Sequence, residues 1–177
     1  MQDTLPIHFA PLQGYTEAIY RNAHDAFFGG VDTYYTPFVR LEKGNFRRRD
    51  VRGIEPENNG VPHLIPQLIA SSAEKAEVIL SLFIEKGYQE VDINLGCPFP
   101  LLAKRHNGSG ILPYPEEVKA LLSIVTRYPQ ISFSVKMRLG WEQPDECLAL
   151  APILNDLPLR QITMHPRLGK QGYKGEV

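Results

Sequence analysis

Five residues stand out for what their types and settings could do. Cys97 lies in a turn between Gly96 and Pro98, Lys136 and Arg138 sit within one apolar run, Gln67 sits within another, and His165 precedes Pro166-Arg167. A thiol has a reference pKa of ~8.5 and is a competent proton donor near neutral pH. A lysine among apolar residues is costly to bury unless it is paired or faces a cavity. Gln67 suits a satisfied buried amide as well as a ligand contact, and His165 suits a strand-end cap as well as a site. Amides, cations, a thiol and an imidazole without an Asp/Glu cluster disfavour a metal hydrolase. They suit an anionic or electron-rich ligand with a thiol acid beside it. His8, His24 and His63 show no ligand spacing and read as structural. Cys147, next to Leu148, Ala149 and Leu150, reads as a small core hydrophobe. The two cysteines form no CxxC pair, so neither a zinc site nor a disulfide scaffold is legible, no metal is expected, and the compartment is expected to be reducing.

The elements that must position these residues alternate. Strands are expected at residues 7–12, 33–39, 63–70, 90–95, 132–138 and 160–165, from their β-branched and apolar runs. Between them fall helical patterns. Thr16 is placed to cap a helix ending near Phe28, before Gly29-Gly30. Ser71 and Glu74 have capping-box spacing, and Val78, Ile79, Leu82 and Phe83 form an apolar stripe. Pro115 opens a helix with Glu116 and Glu117 in its first turn and a stripe of Val118, Leu121, Leu122 and Val125. A further helix spans 144–156. Strand–helix alternation implies parallel strands and crossover helices, and chemistry at the carboxyl ends of the strands. Six strands fit an open doubly wound sheet or most of a (β/α)8 barrel. The absence of GxGxxG after the first strand weakens the dinucleotide-binding version of the former.

Composition narrows the classes. The 177 residues carry 19 Lys+Arg against 20 Asp+Glu, a net charge of -1, and 43% are hydrophobic. This describes about one globular domain rather than a uniformly basic nucleic-acid binder or a disordered chain. No leader pattern opens the chain, and no apolar run approaches the ~20 residues of a membrane span, so a cytoplasmic location without a membrane partner is expected. Residues 40–52 hold six Lys/Arg against two Asp/Glu. Within this loop Arg47, Arg48 and Arg49 are candidates for RNA backbone contact, beside the reading as solvated charge.

APLQGYTEAIYR, PQLIAS, VDINLGCP, KRHNGSGIL, VKMRLGW and MHPRLGKQGYKG occur in an order and spacing that resemble the tRNA-dihydrouridine synthases along nearly the whole chain. The resemblance implies an FMN-bearing (β/α)8 TIM-type barrel that reduces a uridine of tRNA, with NADPH recharging the flavin. By that resemblance Cys97 is the catalytic proton donor. Pro11, Leu12, Gln13, Gln67, Lys136 and His165 hold the flavin, and Asn94, Arg138, Lys104 and Arg105 meet the substrate. Leu12 stands where the family usually has Met, and Glu17 where it usually has Asp. About six of the eight βα units of such a barrel are present. Residues 1–177 are therefore expected to be the N-terminal part of a flavin-binding barrel, without its last strands and helical C-terminal domain. Open edges of this kind should favour self-association and weaken FMN binding by the chain alone. Two alternatives stand beside this reading. One is a dihydroorotate-dehydrogenase-like flavin barrel acting on a free pyrimidine. The other is a non-catalytic fragment with residual RNA affinity.

Overall fold

A computed structural model describes residues 5–176. Six parallel segments form the frame: β1 (His8–Phe9), β2 (Thr33–Tyr35), the pair β5 (Leu64–Ile65) and β6 (Gln67–Leu68), β7 (Glu90–Leu95), β8 (Ser132–Gly140) and β9 (Leu159–Leu168). A small antiparallel hairpin, β3 (Leu41–Glu42) and β4 (Asn45–Phe46), stands apart from them. The helices are α1 (Ala18–Phe27), α2 (Arg48–Ile54), α3 (Ala73–Glu85), α4 (Pro100–Ala103), α5 (Pro115–Arg127) and α6 (Glu146–Asn155).

The strands pair in chain order, β1-β2-β5 and then β6-β7-β8-β9. A doubly wound sheet reverses its order beside the first strand, whereas a barrel keeps neighbours in sequence. The order observed is that of the barrel, and the sheet remains open between β1 and β9. Pro66 separates β5 from β6. It has no N–H to give to a ladder, and the strand changes sheet at that residue while the Pro66 carbonyl accepts the Asp92 N–H at 3.0 Å.

Along β7 and β8 the side chains alternate with period two. Val91, Ile93, Leu95, Phe133, Val135 and Met137 point outward and are essentially inaccessible. They pack with Ala76, Ile79, Leu80 and Phe83 of α3 and with Val118, Leu121, Leu122 and Val125 of α5 in the main core. Burying each large side chain there contributes about 1.5–3 kcal/mol. The alternate residues Asp92, Asn94, Ser134, Lys136 and Arg138 point inward. Most barrels fill that space with Val, Ile and Leu; here it is polar.

Several local expectations are corrected. Thr16 does not cap α1: its hydroxyl turns back on Leu12, accepting the Leu12 N–H at 2.8 Å, and Glu17 holds the N-cap position without a side-chain bond. The cap of α3 is Ser72, which accepts from the Lys75 N–H, while Ser71 accepts from the Lys75 ammonium. The buried stripe of α3 runs through Ala76, Ile79, Leu80 and Phe83, and Val78 is half-exposed. The first two strands are much shorter than expected, with Val39 kept only in an isolated bridge to Leu68. The last strand is longer and runs to Leu168. The basic loop folds into the β3–β4 hairpin, α2 and a 3-10 turn over Pro56–Asn58.

Candidate active site

At the carboxyl ends of β6, β7, β8 and β9 lies a cavity of about 340 Å³. Its wall includes Pro11, Leu12 and Gln13 from the segment after β1, and its floor and sides are formed by Gln67, Asn94, Cys97, Lys136, Arg138 and His165. Pairing register sets their levels: Gln67 is opposite Asp92 and Asp92 opposite Ser134, Asn94 is opposite Lys136, and Arg138 is opposite His165.

A buried chain of hydrogen bonds runs beneath it. Asp92 accepts from the Ser134 hydroxyl at 2.5 Å and from the Gln67 amide at 2.6 Å. The Gln67 oxygen accepts from the Asn94 amide at 2.8 Å. The Asn94 oxygen in turn accepts the backbone N–H groups of Gly96, at 3.0 Å, and Cys97, at 2.8 Å. Because a carboxylate only accepts, Asp92 fixes which end of the Gln67 amide faces it, and that choice propagates to the turn carrying the thiol. Asn94 therefore holds the Cys97 turn and keeps a single amide hydrogen for anything in the cavity. From the other side, the Ser109 N–H and hydroxyl both donate to the Cys97 carbonyl at 3.0 Å. Gly108, at φ +60°, packs so closely that a Cβ there would lie 2.6 Å from the Cys97 carbonyl oxygen.

Arg138 is buried and donates to three carbonyls, those of Gly96 at 2.9 Å, Leu168 at 2.9 Å and Gly172 at 2.7 Å. It thus ties the Cys97 turn to the end of β9, and only Nη2 is left for a ligand. Lys136 Nζ has no hydrogen-bond or ion-pair partner among the described residues. The Gln13 Oε1 is likewise buried without one.

Burial pushes the Cys97 thiol above its ordinary value, outweighing a bond from the Phe99 backbone and the charges of Arg138 and Arg40, so the thiol keeps its proton at neutral pH. Burial also raises the Asp92 carboxyl, against the bonds from Ser134 and Gln67 and the Lys136 charge. Lys136 and Arg138 are both lowered by burial. His165 falls to about 4, through burial first and then the cations Arg138, Lys136 and Arg167, and is neutral at pH 7. Arg167 Nη1 lies 3.4 Å from His165 Nε2. A guanidinium only donates, so Nε2 accepts and the ring proton sits on Nδ1.

A second cavity of about 830 Å³ adjoins the first and shares Cys97 with it. Tyr15, Phe38, Phe99, Trp141 and Tyr173 supply aromatic faces, and Arg40, Arg47, Lys104 and Lys170 supply positive charge. Stacking surfaces with cations around them suit an unstacked base and its backbone. Of the arginines proposed for RNA, Arg47 reaches this cavity, with its Nε 3.9 Å from Glu42 and 4.0 Å from Asp50. Arg49 faces Glu17 at 3.6 Å, and neither Arg48 nor Arg49 lines a cavity described here. Arg105 lines a separate groove on the far side of Phe99. His8, His24 and His63 bond to Tyr35, Tyr34 and Glu90. No group of three or more His, Cys, Asp or Glu side chains among the described residues could hold a metal, and no helix there is long and apolar enough to cross a membrane.

Sequence reading missed Asp92, Ser134, Ser109, Trp141 and Tyr173. The first two carried a usable signal: in EVDINL and SFSVKMRLG every second residue is polar, which marks one face of each strand as a site rather than a core.

This is a parallel α/β protein of barrel type, with a cationic cavity and a protonated thiol at the carboxyl ends of its strands. The dihydrouridine synthase (Dus) family model matches residues 8–177, and the chain belongs to that family, whose fold is the TIM barrel. It is 29% identical over 175 residues to the probable tRNA-dihydrouridine synthase 1 of Synechocystis sp., covering 95% of this chain and 47% of that protein. It is 28% identical over 187 residues to the tRNA-dihydrouridine(16) synthase of Haemophilus ducreyi, covering 96% and 54%. Against tRNA-dihydrouridine synthase B of Vibrio cholerae it is 32% identical over 113 residues, covering 63% and 33%. The chain spans about half the length of the curated relatives it matches most fully. All three relatives carry tRNA in their names.

Proposed function

We propose that the chain provides the thiol-bearing part of a tRNA-dihydrouridine synthase that reduces the C5=C6 bond of a tRNA uridine in the cytoplasm, with FMN as the resident cofactor and NADPH as the reductant. The observation that carries the reading is the position of Cys97, a thiol that holds its proton and stands at the junction of a cationic cavity and an aromatic one.

The first cavity fits a flavin ring by its unmet polar atoms. Lys136 Nζ and the remaining Gln67 amide hydrogen are donors, the buried Gln13 Oε1 is an acceptor, and Pro11 and Leu12 form an apolar wall. The positive charges of Lys136 and Arg138 suit an electron-rich ring. Neutral His165 adds a donor on Nδ1 without adding charge. When bound there, reduced FMN supplies the hydride for C6 of the uracil.

The chain supplies the rest. The target base must leave its stack to reach this depth, and the aromatic faces of the second cavity replace the lost stacking. Arg138 Nη2 and the last Asn94 amide hydrogen are the donors available to a uracil carbonyl. Such a bond would draw electron density from the C5=C6 bond. Cys97 then gives its proton to C5, and the Asn94 and Ser109 bonds to its backbone keep the sulfur in place during the transfer. A thiol raised above its ordinary pKa is always loaded at neutral pH, as a proton donor has to be.

Cys97→Ala tests this in the protein at its natural length. The variant is expected to keep FMN and to oxidise NADPH, while dihydrouridine formation on unmodified tRNA falls by at least a hundredfold, in line with losing a general acid. Dihydrouridine formation at the wild-type rate would overturn the assignment.

A further inference from the structure

Beyond the aromatic cavity, on the far side of Phe99 and Leu102, lies a groove of about 680 Å³ that shares Arg40, Phe99 and Leu102 with it. Four cations line this groove, Arg40, Lys43, Lys75 and Arg105, against a single acid, Glu42. Glu42 is already engaged by Arg40 at 3.7 Å and Arg47 at 3.9 Å. Lys43, Lys75 and Arg105 have no acidic partner among the described residues. The arginines at the start of α2 differ, since Arg47 and Arg49 both face carboxylates there.

Two features of the groove are built rather than incidental. Lys43 occupies the tip of the β3–β4 hairpin at φ +51°, followed by Gly44 at φ +79°. Two-residue turns of this kind prefer Asn, Asp or Gly at the first position, because a larger side chain is strained there. The chain nevertheless holds a lysine at that point, on the rim of the groove. Across from it, Lys75 donates to the Ser71 hydroxyl at 2.8 Å, which anchors the ammonium beside the first turn of the 13-residue helix α3 with its other hydrogens unspent. Between the groove and the aromatic cavity the exposed Phe99 and Leu101 form an apolar ridge.

From this continuity we infer that the groove is a backbone track for the RNA strand flanking the target uridine. The phosphates run between Lys43 on one side and Lys75 and Arg105 on the other, and a neighbouring base lies on Phe99. The inference rests on RNA being the substrate, as proposed above. It moves the main backbone contact away from Arg48 and Arg49, whose helix lines neither cavity, to the cations that line the groove.

The test is the affinity of unmodified tRNA, read by fluorescence anisotropy over a range of salt, for the protein at its natural length. Each phosphate contact adds about 0.7–0.9 to the slope of log K against log salt. Lys43→Glu with Lys75→Glu is therefore expected to lower the slope by about 1.5 and the affinity by about 30-fold at 0.1 M salt. Lys43→Arg with Lys75→Arg should restore both. Arg48→Glu with Arg49→Glu should change affinity by less than about threefold, since neither residue lies on the track. Equal losses in the two reversal variants would show a diffuse field and overturn the track, as would an unchanged slope in the lysine pair. Wild-type protein that binds no tRNA would remove both the track and the reading it rests on. Wild-type binding with the lysine pair indifferent would remove the track alone.

Discussion

On β7 and β8 the residues facing α3 and α5 are Val91, Ile93, Leu95, Phe133, Val135 and Met137, and those facing the barrel interior are Asp92, Asn94, Ser134, Lys136 and Arg138. The outward set is held by area and packing, which are non-directional and tolerate one apolar shape in place of another. The inward set, Lys136 apart, is held by hydrogen bonds whose polarity is fixed by Asp92 and by the three carbonyls on Arg138. The same ten-odd residues of strand thus separate two tasks that most barrels merge: folding on one face and the arrangement of a site on the other.

The two faces differ most in what the loss of a side chain costs. Phe133→Ala removes a fully buried ring from the outward face and is expected to cost about 3–5 kcal/mol in urea unfolding. A loss below about 1 kcal/mol would mean that the outward face is not the core.

Asp92→Ala comes next. It strands the Gln67 amide and the Ser134 hydroxyl, which predicts a loss of about 1–3 kcal/mol. Its diagnostic effect is different: with the polarity of the relay released, alkylation of Cys97 by iodoacetamide should change rate, whereas Phe133→Val, measured while folded, should leave that rate as it is. Equal effects of the two variants on the thiol would erase the distinction between the faces.

A pH experiment isolates the inward charges. His165 titrates near 4 in the fold against about 6.5 unfolded, so the unfolded chain binds the proton first. Its contribution leaves stability untouched above about pH 6.5 and lowers it progressively as pH falls towards 4. His165→Asn should therefore flatten the fall in Tm between pH 7 and pH 4.5. A difference curve between wild type and variant that is level over that window would show that the ring is not held among cations.

The smallest effect is expected at Val78. This residue is half-exposed on α3, and Val78→Ala should change stability by no more than about 0.5 kcal/mol, with a better helix former offsetting the lost contact. The neighbouring Ile79→Ala should cost about 2–5 kcal/mol. That pair checks the rotation of α3 directly.

The sequence made the alternation of six strands legible because each run is short, apolar and bounded by turn residues. It left the choice between barrel and doubly wound sheet open, since strand order is a property of pairing and not of any one strand. Adjacent Ser71 and Ser72 both suit a cap, and Ser72 takes it; which face of α3 is buried is set by its packing on the sheet, which leaves Val78 half-exposed. At the site, Cys97, Gln67, Lys136, Arg138 and His165 were legible as polar residues at strand ends, and they do converge on one cavity. Asp92 was legible only through the polar alternation of EVDINL, not as a residue at a strand end. The ion pair of Arg49 could not be read locally, because its partner Glu17 lies 32 positions earlier, across α1, β2 and the β3–β4 hairpin.

Gly108 sits against the Cys97 backbone with no room for a Cβ, while residues 104–106 of the same loop stand at the surface with Lys104 and Arg105. In terms of inheritance, the loop is in two parts with different latitude. Side chains of the exposed stretch meet solvent and can change without touching the Cys97 backbone, whereas any side chain at position 108 would collide with it. One loop thus has a free half and a fixed half, a few residues apart.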